Sequence, residues 1–99
     1  MHVISRKALT GFWSVHAVAE APLKTWFQAA SRGSFRNLAE LKQTFNSVDY
    51  VSAGGKGFYV FDIGGNKYRL IAAIHFNTQK LFIRHVLTHA QYDRGDWKK

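Results

Sequence analysis

The second half of the chain alternates apolar and polar residues at a period of two, and this pattern constrains the fold more than any other feature. Its segments are "FYVFDI" (58–63), "KYRLIAAIHF" (67–76) after Gly64-Gly65-Asn66, and "LFIRHVL" (81–87) after the turn "NTQK". Alternation of this kind predicts strands with one buried face, and the glycines predict a tight hairpin. We therefore predict that this half forms an antiparallel sheet.

The first half carries helical periodicity instead, and three helices are predicted at 6–18, 21–33 and 37–45. The second helix has Pro22 in its first turn and Gly33 at its end, and Asn37 with Glu40 forms a capping-box pattern in the third. Short outer strands are predicted at 2–4 and 47–51. The chain is thus predicted to be a single α+β domain, 1–99, with N-terminal helices packed on one face of an antiparallel β-sheet and a short C-terminal helical segment.

The strand register follows if both turns are two-residue loops. Ile63 then lies opposite Asn66, and Asn77 lies opposite Lys80. One sheet face becomes apolar, with His85 as its one polar residue, and the other becomes mixed, basic and partly aromatic. On this register Arg69 lies opposite Thr88. Arg84 lies on the same face, roughly 13 Å from Thr88 at ~3.3 Å per residue.

Charge points to the class of partner. The chain has 14 Lys and Arg against 6 Asp and Glu, a net charge of +8, which favours a polyanion such as nucleic acid, anionic lipid or an acidic protein. A basic surface that serves only solubility remains open. The absence of cysteine excludes disulfides. Because no signal peptide or membrane-spanning run is found, we expect a cytoplasmic protein with no membrane partner.

The residues near the C-terminus contain the components of a metal-independent ribonuclease. Attack by the RNA 2′-OH needs a proton acceptor, a cation on the phosphate and a proton donor, and His89, Arg69, Arg84 and Tyr92 supply these groups. Each also has a structural interpretation. The arginines can be solvated or can pair with Asp62 or Asp93. His89 can be a surface or capping residue, and Tyr92 can anchor the C-terminal segment.

Other catalytic motifs are weak. His85 and His89 lie four residues apart but lack the glutamate of H-E-x-x-H, and the glycines at 54–57 do not match a phosphate-binding loop. We therefore predict no metal site and no cofactor.

The segments "FDIGGNKYRLIAAIHF" and "KLFIRHVLTHAQYD" resemble the HigB-type toxins of bacterial type II toxin–antitoxin systems, within the RelE superfamily. The resemblance covers essentially the whole chain and rests mainly on these two sheet segments. It implies an endoribonuclease that cleaves mRNA, usually on the translating ribosome. It also implies a helix-turn-helix antitoxin, HigA, as partner and repressor.

The resemblance implies roles for individual residues. Arg69 and Arg84 match phosphate-contacting strand arginines, His89 matches a C-terminal histidine that handles a proton, and Tyr92 matches a terminal aromatic residue. The predicted RNA-binding cations are Lys67, Lys80, Lys98 and Lys99. The acid or base role of His89 stays open.

Other functions remain to be weighed against RNA cleavage. A non-catalytic RNA- or ribosome-binding module needs the same charge and aromatic residues without proton transfer at His89. A DNA-binding regulator is disfavoured because no helix carries a basic recognition face. A membrane-surface protein is disfavoured because no helix combines a large apolar face with a basic one.

Overall fold

The computed structural model describes residues 1–98, and its elements confirm the predicted α+β class. The helices are α1 (Lys7–Val15), α2 (Glu20–Arg32), α3 (Leu38–Thr44) and α4 (His89–Arg94). The strands are β1 (His2–Ile4), β2 (Asp49–Ala53), β3 (Lys56–Ile63), β4 (Tyr68–His75) and β5 (Lys80–Thr88). Short 3-10 turns occur at Ala17–Ala19, Phe76–Thr78 and Asp96–Lys98.

The helix ends follow from local chemistry. The Asn37 side chain accepts a hydrogen bond from the Glu40 backbone N–H at 3.0 Å, as the capping pattern predicts. The Glu40 carboxylate accepts from the Arg36 backbone N–H rather than from that of Asn37. Gly33 ends α2 in extended conformation, and a side chain there would collide with the ring of Phe35. The first helix is shorter than predicted because the chain leaves helical geometry at His16.

The five strands form one sheet in the order β1-β5-β4-β3-β2. All neighbouring pairs are antiparallel except β1 and β5, which are parallel over three residues. The sheet is therefore mixed, whereas the sequence predicted an antiparallel one. The predicted edge strand at 2–4 is confirmed. The outer strand predicted at 47–51 lies two residues further on, as β2.

The register of the first hairpin differs from the two-residue loop that was predicted. Ile63 pairs with Tyr68 rather than with Asn66, so four residues, 64–67, form the turn. Gly64 and Gly65 both have positive φ values, 63° and 72°, which glycine adopts without strain. The shift is two residues, so each side chain of β3 and β4 keeps its predicted face. Its consequence is that Asp62 lies directly opposite Arg69.

The predicted register between β4 and β5 is wrong, and the error changes the sheet face on which some β5 side chains lie. Ala72 pairs with Ile83, but the preceding residue, Ile71, pairs with His85. Arg84 is therefore an extra residue in β5 and forms a bulge. Beyond the bulge Arg69 lies opposite Leu87, not Thr88. Because one inserted residue reverses the alternation, the predicted facing of 85–88 is reversed.

Two apolar clusters lie on the two faces of the sheet. The larger one, between the sheet and α1–α3, includes Leu23, Trp26, Phe61, Leu70 and Leu81. The smaller one is formed by Val60, Ile71 and Trp97, with Phe58, Leu87 and Tyr92 packed against it. The C-terminal segment therefore covers part of the second face. Within residues 1–98, no helix is long and apolar enough to cross a bilayer.

Candidate functional site

A groove of about 730 Å³ lies on the second face of the sheet. We call it the basic groove, and its polar lining residues are Lys56, His75, Arg84, His85 and Lys98. Phe58 and Trp97 supply aromatic walls. No ion pair within residues 1–98 joins Lys56, Arg84 or Lys98 to a carboxylate. The groove therefore presents cations beside aromatic rings, a combination that suits single-stranded nucleic acid.

The bulge in β5 places Arg84 and His85 together in this groove. The Arg84 guanidinium lies 5.6 Å from the centroid of the Phe82 ring, which leaves its N–H groups available to a phosphate. Partial burial, with a smaller effect from Arg84, holds the pKa of His85 below its ordinary value of 6.5. His85 is therefore neutral at physiological pH. The prediction that it lies on the helix-packed face was wrong because of the bulge.

Arg69 lies in a different environment, with only 9% of its surface exposed. Its Nε is 3.2 Å from the Asp62 carboxylate, and its Nη groups donate to the Tyr68 carbonyl and the Asn66 side chain. Its guanidinium also lies 5.6 Å from the centroid of the Tyr92 ring. The sequence left open whether Arg69 contacts a phosphate or has a structural role, and in the structure Arg69 pairs with Asp62. These contacts connect the first hairpin to α4.

The short helix α4 begins immediately after β5 because Thr88 and Gln91 form a capping box. The Thr88 hydroxyl accepts from the Gln91 N–H at 3.2 Å, and the Gln91 side chain accepts from the Thr88 N–H at 2.9 Å. The His89 N–H donates to the Lys67 carbonyl at 3.0 Å. These bonds fix the first turn, on which the His89 side chain is about half exposed.

The histidine and tyrosine of α4 have distinct partners. His89 Nε2 is 3.4 Å from the Asp93 carboxylate, one helical turn further on. The Tyr92 ring stacks on Trp97 with 5.5 Å between centroids. Burial raises the pKa of Tyr92 above 10.0, although Arg69 opposes the shift. The phenol is therefore protonated at neutral pH and can donate a hydrogen bond.

The predicted lysines are dispersed over the sheet. Lys67 is exposed in the first hairpin turn, rather than in a strand, and Lys80 is exposed at the start of β5. Lys98 lines the basic groove. Lys99 lies outside the described residues. Among the predicted lysines that the structure describes, only Lys98 therefore joins Arg84 in the groove.

The predicted catalytic residues are divided between two places. We call Arg69, His89, Tyr92 and Asp93 the C-terminal site. Arg84 lies in the basic groove, five residues before His89 in the chain, or at most roughly 17 Å at ~3.3 Å per residue. Trp97 lines the groove and stacks on Tyr92, so it joins the two places. The second face thus has a path from the groove through Trp97 and Tyr92 to α4, rather than one compact pocket.

Several residues of this path were missed by sequence reasoning. Lys56, His75 and Trp97 were given no role in a site, and the bulge that turns His85 outward has no sequence signal that we recognise. The start of α4 did have a signal, because Thr88 and Gln91 match the S/T-x-x-E/Q pattern. Within residues 1–98, no cluster of three or more His, Asp or Glu side chains could hold a metal ion.

Comparison with known proteins identifies the family of this chain. Residues 19–95 match the family model described as HigB_toxin, the RelE-like toxic component of a toxin–antitoxin system. The mRNA interferase toxin HigB of Escherichia coli K12 is 36% identical over 93 residues, covering 94% of this chain and 88% of that protein. The mRNA interferase HigB of Escherichia coli O6:H1 is 29% identical over 94 residues, covering 95% and 90%.

Helices on one face of a mixed sheet, with a short C-terminal helix on the other, define a RelE-like α+β domain. The match extends over α2, α3, β2–β5 and α4, so it includes the C-terminal site and all of the basic groove except Trp97 and Lys98. The chain belongs to the HigB toxin family.

Proposed function

We propose that this chain is an mRNA interferase, the toxin of a type II toxin–antitoxin system. The observation that carries the proposal lies on the second face of the sheet, where Trp97 and Tyr92 connect the basic groove to the helix that begins with His89. Relatives named mRNA interferases cover nearly the whole chain, which supports the same activity here. We propose that mRNA is cleaved on the translating ribosome, in the cytoplasm.

The proposed reaction is attack of a ribose 2′-OH on the adjacent phosphate. The 2′-oxygen forms a new P–O bond, the bond to the 5′-oxygen breaks, and one proton moves from the 2′-OH to solvent while another reaches the leaving oxygen. His89 is exposed and can transfer one of these protons. The product is a 2′,3′-cyclic phosphate, which can open to a 3′-phosphate.

The cations have different proposed roles. Arg84 is exposed in the groove and forms no ion pair with the carboxylates of residues 1–98, so we assign it to the non-bridging phosphate oxygens. Arg69 is buried against Asp62, so we assign it to holding Tyr92 and α4 in place. Tyr92 remains the candidate hydrogen-bond donor at the end of the path. Lys67, Lys80, Lys98 and Lys99 add attraction for the RNA backbone.

The experiment that tests the proposal is cleavage of a defined mRNA on translating ribosomes by the purified protein, with mapping of the new RNA ends. We expect ends with a 2′,3′-cyclic phosphate or a 3′-phosphate, and no loss of cleavage when metals are chelated under conditions that keep ribosomes intact. Ends with a 3′-hydroxyl would contradict attack by the 2′-OH. Ribosome binding without new ends would favour the non-catalytic RNA-binding module.

The family also implies a protein partner, because a toxic component acts together with an antitoxin. We propose a helix-turn-helix antitoxin of the HigA kind, which restrains the toxin either by covering the second face or by preventing access to the ribosome. Co-expression with the adjacent helix-turn-helix gene should relieve growth arrest. Persistent arrest with the partner present at confirmed levels would overturn this assignment.

A further inference from the structure

A second groove, of about 370 Å³, lies along α1, away from the basic groove. We call it the α1 groove. Its apolar lining residues are Ala8, Gly11, Phe12, Val15, Val86 and Leu87. Lys7, His16 and Gln91 complete it. The groove therefore joins the first helix to the end of β5 and to α4.

The surface beside this groove is unusually apolar. Val15 is 77% exposed and Val18, three residues further on, is 67% exposed. Within residues 1–98 they are two of the three strongly exposed large apolar side chains, the other being Tyr50. Single exposed valines are ordinary, but two close in sequence beside an apolar groove are typical of a contact surface.

Gly11 gives a second reason to expect a partner. Glycine in the middle of a helix is less stable than alanine, and packing within the chain does not require it, because a Cβ atom there would meet nothing within 4 Å. Its absent side chain leaves the α1 backbone open to close approach.

The edge of β5 beside α1 is only partly paired. On this side β1 pairs with Lys80–Phe82 of β5. From Ile83 onward, no strand of the described chain pairs with this edge. An extended segment could therefore continue the position of β1 and form backbone hydrogen bonds to β5, which is a common way of binding a peptide.

The charge around the α1 groove indicates which kind of partner it binds. Lys7 lies in the groove and Arg6 is exposed next to it, whereas none of the lining residues is acidic. The whole chain has a net charge of +8, so a second copy of the chain would be repelled. The surface suits a segment with small apolar side chains and acidic neighbours.

We propose that the α1 groove is the docking site of an extended apolar segment of the antitoxin, flanked by acidic residues. The inference rests on the proposed function, which supplies the antitoxin as partner. The segment would contact Gln91 of α4, the helix that begins with His89. It would thus add bulk beside the C-terminal site and hinder access to the ribosome, while the basic groove stays uncovered.

The test compares Gly11→Arg with Thr10→Arg. Both place the same charge on α1, but Thr10 does not line the groove. The probe is the purified helix-turn-helix antitoxin encoded beside the toxin gene, with its affinity measured by titration calorimetry. Gly11→Arg should weaken binding by about 30-fold or more, the scale of an interface hot spot, and Thr10→Arg by less than about 3-fold.

Measurements of mRNA cleavage and hydrogen exchange show whether a change in affinity arises at the α1 groove. Both variants should cleave mRNA as the unsubstituted protein does, and antitoxin should slow hydrogen exchange at Val86 and Leu87. Equal affinities of the two variants would overturn the inference, as would loss of cleavage with antitoxin binding retained. Self-association that Gly11→Arg abolishes would assign the groove to a second copy. Failure of the unsubstituted toxin to bind antitoxin would overturn the proposed partner as well, whereas mRNA cleavage would still test the enzymatic proposal.

Discussion

The basic groove and the C-terminal site occupy the same face of the sheet, but their arginines lie in opposite environments. In the groove, Arg84 is exposed and contacts only an aromatic ring among its described interactions. In the C-terminal site, Arg69 is 9% exposed and is bound by a carboxylate, an amide and a carbonyl. A guanidinium already neutralised in this way has little capacity left for a phosphate.

This contrast teaches that residue type alone does not assign roles in this protein. The two regions divide the work of the proposed reaction, since the groove supplies attraction for the RNA and α4 supplies a histidine held by a capped helical turn. His85 complicates the division, because it places a neutral imidazole directly beside Arg84. The predictions below test whether proton transfer belongs to the C-terminal site or to the groove.

The largest expected effect distinguishes the two histidines. His89→Gln should lower the single-turnover rate of mRNA cleavage by about 10²–10⁴-fold, the range for a lost general acid or base. His85→Gln should lower it by less than about 10-fold, because His85 lines the groove but transfers no proton in the proposed reaction. Circular dichroism should show both variants folded. The reverse order of rates would move the chemistry into the basic groove.

The next effect separates the two arginines. Arg84→Ala should lower cleavage by about 10²–10³-fold, because it removes charge stabilisation at the phosphate, and should leave the free energy of unfolding unchanged. Arg69→Ala should lower that free energy by about 1–3 kcal/mol, because Asp62 and Asn66 lose their partner. Urea unfolding measures the second quantity. Equal stability of Arg69→Ala and the unsubstituted protein would contradict the positioning role.

A smaller effect concerns salt. Lys56, Arg84 and Lys98 line the groove and should release counterions on binding single-stranded RNA. The logarithm of affinity should therefore fall with the logarithm of salt with a slope of about −2. Lys56→Ala should reduce the magnitude of this slope by about 0.7. Lys42→Ala, on α3 and away from the groove, is the matched control. Fluorescence anisotropy measures both, and a slope insensitive to Lys56 would remove that lysine from the RNA path.

The smallest effect is a pH dependence of stability that arises from His85. Burial and Arg84 lower its pKa in the folded protein, whereas the unfolded chain titrates near 6.5. The unfolded state therefore binds more protons as pH falls below 6.5, and the contribution of His85 to stability, present above that pH, is lost. Urea unfolding should be measured between about pH 5 and 7, because this range includes the ordinary histidine pKa of about 6.5. The free energy of unfolding should depend less on pH in His85→Gln than in the unsubstituted protein. An unchanged dependence would show that His85 is as hydrated in the folded state as in the unfolded one.

The sequence by itself determined the class of fold and most of its elements. Period-two alternation and the glycine turn specified β3 to β5, and the helical stripes and the Asn37 cap specified α2 and α3, because these signals act between residues close in the chain. The residue types near the C-terminus gave RNA cleavage as one candidate function, and the resemblance to HigB-type toxins favoured it over the alternatives.

The tertiary structure alone decided how these residues are grouped. The bulge at Arg84 reversed the facing of His85 and Leu87, and the four-residue turn brought Asp62 opposite Arg69. Trp97 packs against Val60 and Ile71, lines the groove and stacks on Tyr92, so it connects the groove to α4. A one-residue change in register moves every later side chain to the other face. That register depends on packing between distant segments, which no local pattern encodes.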